Sequence, residues 1–391
     1  MRVIGLISGT SMDGIDAAVA DLELRDGEIE LVPLGSTSVP YEPPLRDALA
    51  ATLPPRISSA GEICRLDNEI GRAFAGAAVR ALGEVAGGDA DLVVSHGQTL
   101  FHQVEDGRVR GTLQIGQPAW IAETTGLPVV ADLRPRDVAA GGQGAPMASM
   151  FDVLLLAGSQ QPKAALNIGG IANLTIVSPD SEPIGFDTGP GNALIDAAIR
   201  HLTGGREELD RDGHMAGSGR VDGALLERLH ADPYYRLPPP KTTGKEHFHL
   251  DYLMDAVSGG TEIAAEDLLA TVTYLSAVTI AEACLAHQVS EVIVSGGGPS
   301  NPVLMGMLQG EMPNVAISPI DTLGIPSEAK EAYFFALLGF LTVHQLPGNV
   351  PSVTGAGRPV ILGSLLPGRN GFPAVSSVSS RPTRLRIGEA T

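Results

Sequence analysis

The sequence predicts an α/β protein of two domains built on a repeated unit. Three observations carry this expectation. The chain has 391 residues, a length that favours two domains of ordinary size over one. A strand, a polar glycine turn and a second strand open the chain at residue 2, and the same pattern recurs at residue 164. Each opening is followed by alternating strand-like and helix-like segments.

The elements follow in order. Residues 2–7 (RVIGLI) and 17–22 (AAVADL) read as strands around a polar turn, and 28–33 continue as an apolar–polar segment. Apolar residues at helical spacing predict a long helix over 60–86. "DLVVSHG" (91–97) and "GLPVVADLR" (126–134) read as buried strands ending in polar residues. "AALNIGGIANLTIV" (164–177) is the second strand–turn–strand, and "GNALIDAAIRHLTG" (191–204) is a helix ended by Gly204. Residues 261–287 give a helix, "EVIVSGGG" (291–298) a strand with a glycine turn, and 327–346 a last helix. The Gly- and Pro-rich "RPRDVAAGGQGAP" (134–146) marks a boundary. The expected domains are 1–133 and 134–349, with part of the segment of about 350–391 a candidate to return to the first. Residues 366–391, rich in Ser, Pro and Arg, read as a loosely held tail.

Composition excludes several function classes. The glycines have no period, so a collagen-like chain is excluded. A formal charge of −19 argues against nucleic-acid and membrane-surface binding, which need a basic face. Anionic ligands must then be met by local backbone donors and a few cations. Cys64 and Cys284 lie far apart without metal-type spacing; they read as two small core residues in a reducing cytoplasm. The N-terminus lacks the pattern of a signal peptide, and no apolar run is read as a membrane span.

Five stretches carry chemistry. In Gly9-Thr10-Ser11-Met12-Asp13-Gly14, backbone N–H groups and hydroxyls can cradle phosphate oxygens. The turn lacks the lysine of the commonest phosphate loop, and a strand rather than a helix follows. Asn167, Gly169, Gly170 and Asn173 form a second such turn, for which an ordinary hairpin fits as well when it is taken alone. In "GFDTGPGN", Asp187 is a candidate base, Gly189 follows it, and Asn192 is placed to cap the next helix. Gly296, Gly297 and Gly298 before Asn301 would let adenine or ribose approach the backbone. Ser95, His96 and Gln98, with Asp132, Arg134 and Asp137 around the next strand end, could read a sugar. Glu331 on polarity alone is a solvated helix residue.

"GLISGTSMDGIDAA", "SHGQTLFH", "LNIGGIANLT", "GFDTGPGNALID", "PPKTTGKEHF", "VSGGGPSNPVLM" and "TGAGRPVILG" resemble the anhydro-N-acetylmuramic acid kinase family, in order, to about residue 368. The resemblance implies the sugar kinase/heat-shock protein/actin superfamily: two duplicated actin-like (ribonuclease H-like) domains with a nucleotide cleft between them. It implies ATP and Mg²⁺, with no metal ligands assigned, a cytoplasmic location and a homodimer as a further possibility. It assigns Asp187 as catalytic aspartate and Glu331 as a glutamate near the active site. Gly9 to Asp16 become the first phosphate loop, Asn167 to Asn173 the second, and Gly296 to Asn301 the adenosine region. Gly189 is counted with the nucleotide-binding residues, and Ser95, His96, Gln98, Arg134 and Asp137 with the sugar. Leu133, Met147 and Asp152 depart from the family pattern.

The implied reaction is hydrolytic opening of a 1,6-anhydro bridge coupled to phosphorylation of O6, in peptidoglycan recycling. Two rivals stand beside it. A kinase for another anhydro sugar, such as levoglucosan, would lack a contact to the lactyl carboxylate. A non-catalytic actin-like assembly protein would need no sugar cluster and no Asp187.

Overall fold

A computed structural model describes residues 1–9, 11–53, 56–105, 107–260, 262–375 and 381–389. The chain forms two compact units, Met1–Ala157 with Gly324–Thr391, and Gly158–Leu323.

The first unit holds β1 (Arg2–Ser8), β2 (Gly14–Arg25), β3 (Glu28–Pro40), β4 (Leu92–Glu105), β5 (Arg108–Ile115) and β6 (Val129–Ala131). The second holds β7 (Lys163–Ile168), β8 (Ile171–Ser178), β9 (Ser181–Pro190), β10 (Glu291–Ser295) and β11 (Ala316–Pro319). The chain then adds β12 (Ser364–Leu366) and β13 (Arg384–Ile387) to the two edges of the first sheet.

The repeat read in the sequence is a repeat of topology. The first sheet contains the order β3-β2-β1-β4-β6 and the second the order β9-β8-β7-β10-β11. In each, three strands run as an antiparallel meander, and the first then pairs in parallel with the fourth. A parallel pair needs a crossover. The helices Ala60–Glu84 and Ala265–Ala286 each precede that fourth strand. This is the actin-like, ribonuclease H-like unit, present twice.

Each sheet has its own core. In the first unit, Ile4, Leu6, Val19 and Val93 pack with Leu66, Ile70 and Phe74 of the Ala60–Glu84 helix. That helix begins with a capping box between Ser59 and Glu62. The helix Lys330–Val343 is buried from Ala332 to Leu341, as an apolar-all-round helix must be. It lies close on the sheet: a methyl on Gly5 would strike the Ala332 carbonyl, and one on Gly339 would strike Val94. In the second unit, the Ala265–Ala286 helix feeds two cores, through Ala277, Ile280 and Cys284 on one side and Leu268, Val272 and Leu275 on the other.

Four expectations are corrected. The units divide after residues 157 and 323, not near 133 and 349. The Gly- and Pro-rich stretch at 134–146 is internal to the first unit, because Asp137 within it is tied to Asn349 and Thr354. Among the described residues after 366, 384–387 are not a loose tail: Leu385 is buried, β13 pairs with β3, and Arg386 pairs with Glu28 and Glu30. Cys64 is exposed on its helix; only Cys284 is a core residue, and burial pushes its thiol up to about 12. The Ala265–Ala286 helix is long and apolar enough to cross a membrane, and it is mostly buried inside its unit.

Candidate active site

The first hairpin turn is built by short polar side chains. Met12 takes a positive φ of 51°, and its N–H donates to Gly9 O. Ser11 donates to Asp13 Oδ1 at 2.7 Å on the exposed side. A methyl on Gly9 would meet only Ser11 Oγ, at 3.8 Å, so the backbone there is open to a ligand. Thr10 lies outside the described residues. Gly14 has a different task, because a methyl there would come within 2.6 Å of Val39 O across the β2–β3 pair. Asp16 braces the same pair: it is half-buried, stands opposite Ser38 and bonds its side chain. Burial raises its carboxyl above the usual range, against that bond.

The residues expected to read a sugar separate into different roles. Gln98 is buried, and the Ser8 hydroxyl lies 2.7 Å from both its Oε1 and Gly14 O. Its Nε2 donates to Gly9 O at 3.2 Å. Gln98 therefore fixes the hairpin and is not free for a sugar. Ser95 is buried in β4. Asp137 is fully buried, and its carboxylate accepts from Gly144 N, Asn349 Nδ2 and Thr354 Oγ1, all at 2.8 Å. It is a structural tie rather than a substrate contact.

His96 is buried as well, and its partners fix its tautomer. Arg134 Nε can only donate, so His96 Nε2 accepts at 2.8 Å. Gly97 O can only accept, so Nδ1 carries the proton, at 2.9 Å. The neutral ring positions the guanidinium, whose Nη1 also donates to Gly144 O at 2.7 Å. Of the five residues that the resemblance counts with the sugar, Arg134 alone is half-buried with donors to spare. Burial lowers its guanidinium to about 10, against the fields of Glu331 and Asp137.

A pH dependence follows for His96. Burial, and next Arg134, hold the ring well below its ordinary 6.5. The unfolded chain therefore binds a proton at acid pH that the folded chain does not. This contribution is complete above about pH 6.5 and is lost as pH falls below it. The urea midpoint should drop between pH 7.5 and 5.5, and less so in His96→Gln. An equal drop in both proteins would refute it.

Glu331 opens the Lys330–Val343 helix. It is accessible to solvent, yet it is crowded by protein, and that desolvation raises its carboxyl, opposed by Arg134 and Lys330 and reinforced by Asp16. Lys330 beside it is buried against Asp152, Nζ to Oδ1 2.7 Å. Leu133 and Met147 are buried too. The three departures from the family pattern thus fall inside the packing of the first unit.

In the second unit, Asp187 is held by three donors. Oδ1 accepts from Asn173 Nδ2 at 2.8 Å; Oδ2 accepts from Thr242 Oγ1 at 2.8 Å and Thr243 N at 3.0 Å. Its backbone is pinned by Lys241 O and the Tyr234 hydroxyl. A carboxylate has about four acceptor sites, so one remains for a water. The sequence assigns Thr242 and Thr243 no role, although both lie in the family-like stretch "PPKTTGKEHF".

The glycines of this unit also divide. Gly169 is open, whereas Gly189 has a φ of 151° and faces the Tyr235 ring. Gly296 and Gly298 are required by the close passage of Ile168, and Gly297 is open. Asn167 is exposed at the end of β7. Asn301 Oδ1 accepts from Val303 N and Leu304 N, so it caps the helix Pro302–Glu311 and its oxygen is spent. Asn192 occupies the cap position of Ala193–Thr203, but its side chain makes no cap bond.

The family model for anhydro-N-acetylmuramic acid kinase matches residues 1–368. The chain belongs to this family. Family relatives include the anhydro-N-acetylmuramic acid kinases of Streptomyces coelicolor, 58% identical over 387 residues and 99% of each chain, and of Rhodococcus erythropolis, 52% identical over 394 residues and 99% of each. Among solved structures, the activator of the 2-hydroxyisocaproyl-CoA dehydratase from Clostridium difficile is similar at a TM-score of 0.41 and 12% identity, over 87% of this chain and 94% of that one.

Proposed function

We propose that the chain uses ATP and water to convert 1,6-anhydro-N-acetylmuramic acid into N-acetylmuramic acid 6-phosphate and ADP, in peptidoglycan recycling. The observation that carries the chemistry is the Asp187 carboxylate, oriented by Asn173, Thr242 and Thr243 with one acceptor site left. The relatives' shared name does not favour the levoglucosan reading.

The substrate's O6 lies in the anhydro bridge and carries no proton. A base is therefore needed for a water instead. Asp187 takes a proton from water as its oxygen bonds to C1; the C1–O6 bond breaks, and O6 takes the γ-phosphoryl group as ADP leaves. Within the second unit, the open backbone at Gly169 and Gly297 suits phosphate and ribose oxygens; within the first, the open turn at Gly9 suits phosphate oxygens in the same way. Arg134, aimed by His96, supplies a cation for the lactyl carboxylate. Glu331 stands beside it.

Among the described residues, no three metal-ligating side chains converge. Mg²⁺ requires no such cage, since it keeps waters and takes one or two carboxylates with substrate phosphates. Asp13, exposed beside Ser11, fits that role. Such an ion supplies charge neutralisation on phosphate oxygens. The reaction belongs in the cytoplasm, where ATP is available, and a homodimer is part of the same reading, measurable by sedimentation.

The test uses ATP, Mg²⁺ and the anhydro sugar in ¹⁸O-labelled water. The expected product is a 6-phosphate with the label at C1. Turnover with the label elsewhere, or no turnover, sinks the mechanism.

A further inference from the structure

We propose that Lys245 is the phosphate cation of the second unit, its ammonium binding the terminal phosphates of the nucleotide over the turn at Gly170. The inference rests on the ATP-dependent reading above.

The turn at 167–173 itself carries no lysine or arginine, and the chain as a whole is strongly acidic. A polyphosphate therefore needs a cation brought from elsewhere in the fold. The loop 241–245 supplies two lysines with different fates. Lys241 Nζ donates to Tyr234 O and Tyr235 O, each at 3.2 Å, and lies over the Tyr234 ring. It is spent on the fold. Lys245 is exposed and has no hydrogen bond or ion pair among the described residues.

Its position is specific. Lys245 Cε occupies the space a methyl on Gly170 would take, and Nζ stands 3.3 Å from that point. The lysine stem crosses Gly170, and a side chain there would push it off the turn. The turn beneath is fixed, since Gly169 O accepts from Asn192 N, and Gly170 O accepts from Gly191 N and Ala193 N. The same loop orients Asp187 through Thr242 and Thr243. One short segment thus holds both the base and a cation at the phosphate turn. Lys245 also lines an open cavity of about 330 Å³ with Asp196, Arg200 and His249. Burial raises the Asp196 carboxyl to about 6, while Arg200 and Lys245 pull it down. Asp196 is the anion that could instead claim the lysine.

Titration calorimetry of ATP and AMP with Mg²⁺ and no sugar tests the assignment. Lys245→Met should weaken ATP by about tenfold or more, the scale of one hydrogen bond between charged groups. AMP should change little, and Lys245→Arg should retain most ATP affinity. Asp196→Asn should leave ATP affinity near wild type. The proposal is overturned if Lys245→Met binds ATP like wild type, if AMP is weakened as much as ATP, or if Asp196→Asn reproduces the loss. If the wild-type protein itself fails to bind ATP, the kinase reading falls first and this one with it.

Discussion

Asp187→Asn should abolish turnover and leave the fold and ATP binding in place. The two effects separate because of how the carboxylate is held. Oδ2 faces two donors, Thr242 Oγ1 and Thr243 N, and Oδ1 faces one, Asn173 Nδ2. Asparagine can keep its oxygen toward the threonines and turn its amide nitrogen toward Asn173. Asn173 then only has to flip its own amide to present an oxygen. The local network survives with every partner satisfied, so no buried polar group is stranded. What the variant cannot do is take a proton from water. A positioned general base contributes about 10²–10⁴-fold, and kcat should fall by that much or more. ADP release and calorimetric ATP binding, measured on the same preparation, make the comparison. Activity within about tenfold of wild type would remove Asp187 from the role of base.

The sequence makes some of this site legible and hides the rest for a consistent reason. The two hairpin turns and Asp187 are local features: turn residues between apolar runs, and a carboxylate between a strand and a glycine turn. Local chemistry is readable from local sequence. The topological repeat was legible for the same reason, since each meander opens on its own glycine turn. What decides the role of Gln98 is Ser8, and what decides that of Asp187 is Thr242 and Thr243, partners remote in the chain. A polar residue at a strand end looks the same whether it faces a ligand or braces its own backbone. Asn301 is an exception, because Pro302 after it marked a helix start and the capping role could have been read. Gly14, Gly296 and Gly298 show the opposite limit: their need for glycine comes from Val39 and Ile168 passing close by. The sequence marks the last stretch, from about residue 350, as a candidate to return to the first unit; its true start at Gly324 was hidden, because the stretch joins the sheet through long-range pairs.

Asp137 gives the sharpest test of that distinction. A sugar contact and a structural tie predict opposite outcomes for Asp137→Ala. If the carboxylate read the sugar, KM would rise and thermal stability would hold. The observed geometry predicts the reverse order of effects. Asp137 is fully buried and joins three segments: the glycine loop at Gly144, the stretch around Asn349, and Thr354. Removing it strands a backbone N–H, an amide and a hydroxyl away from water. Each unsatisfied group costs about 1–3 kcal/mol, so the loss should reach about 3 kcal/mol or more. Gly144 O also anchors Arg134, so the loosened loop should release the guanidinium and reduce activity as a second consequence. Asparagine is no remedy here, because its amide would confront a donor on one side or the other. Gly142 leaves no escape either, since a methyl there would already collide with the Asp137 carboxylate. Urea denaturation of Asp137→Ala and Asp137→Asn should therefore show large losses of stability in both. A variant with wild-type stability and a raised KM would return Asp137 to the sugar.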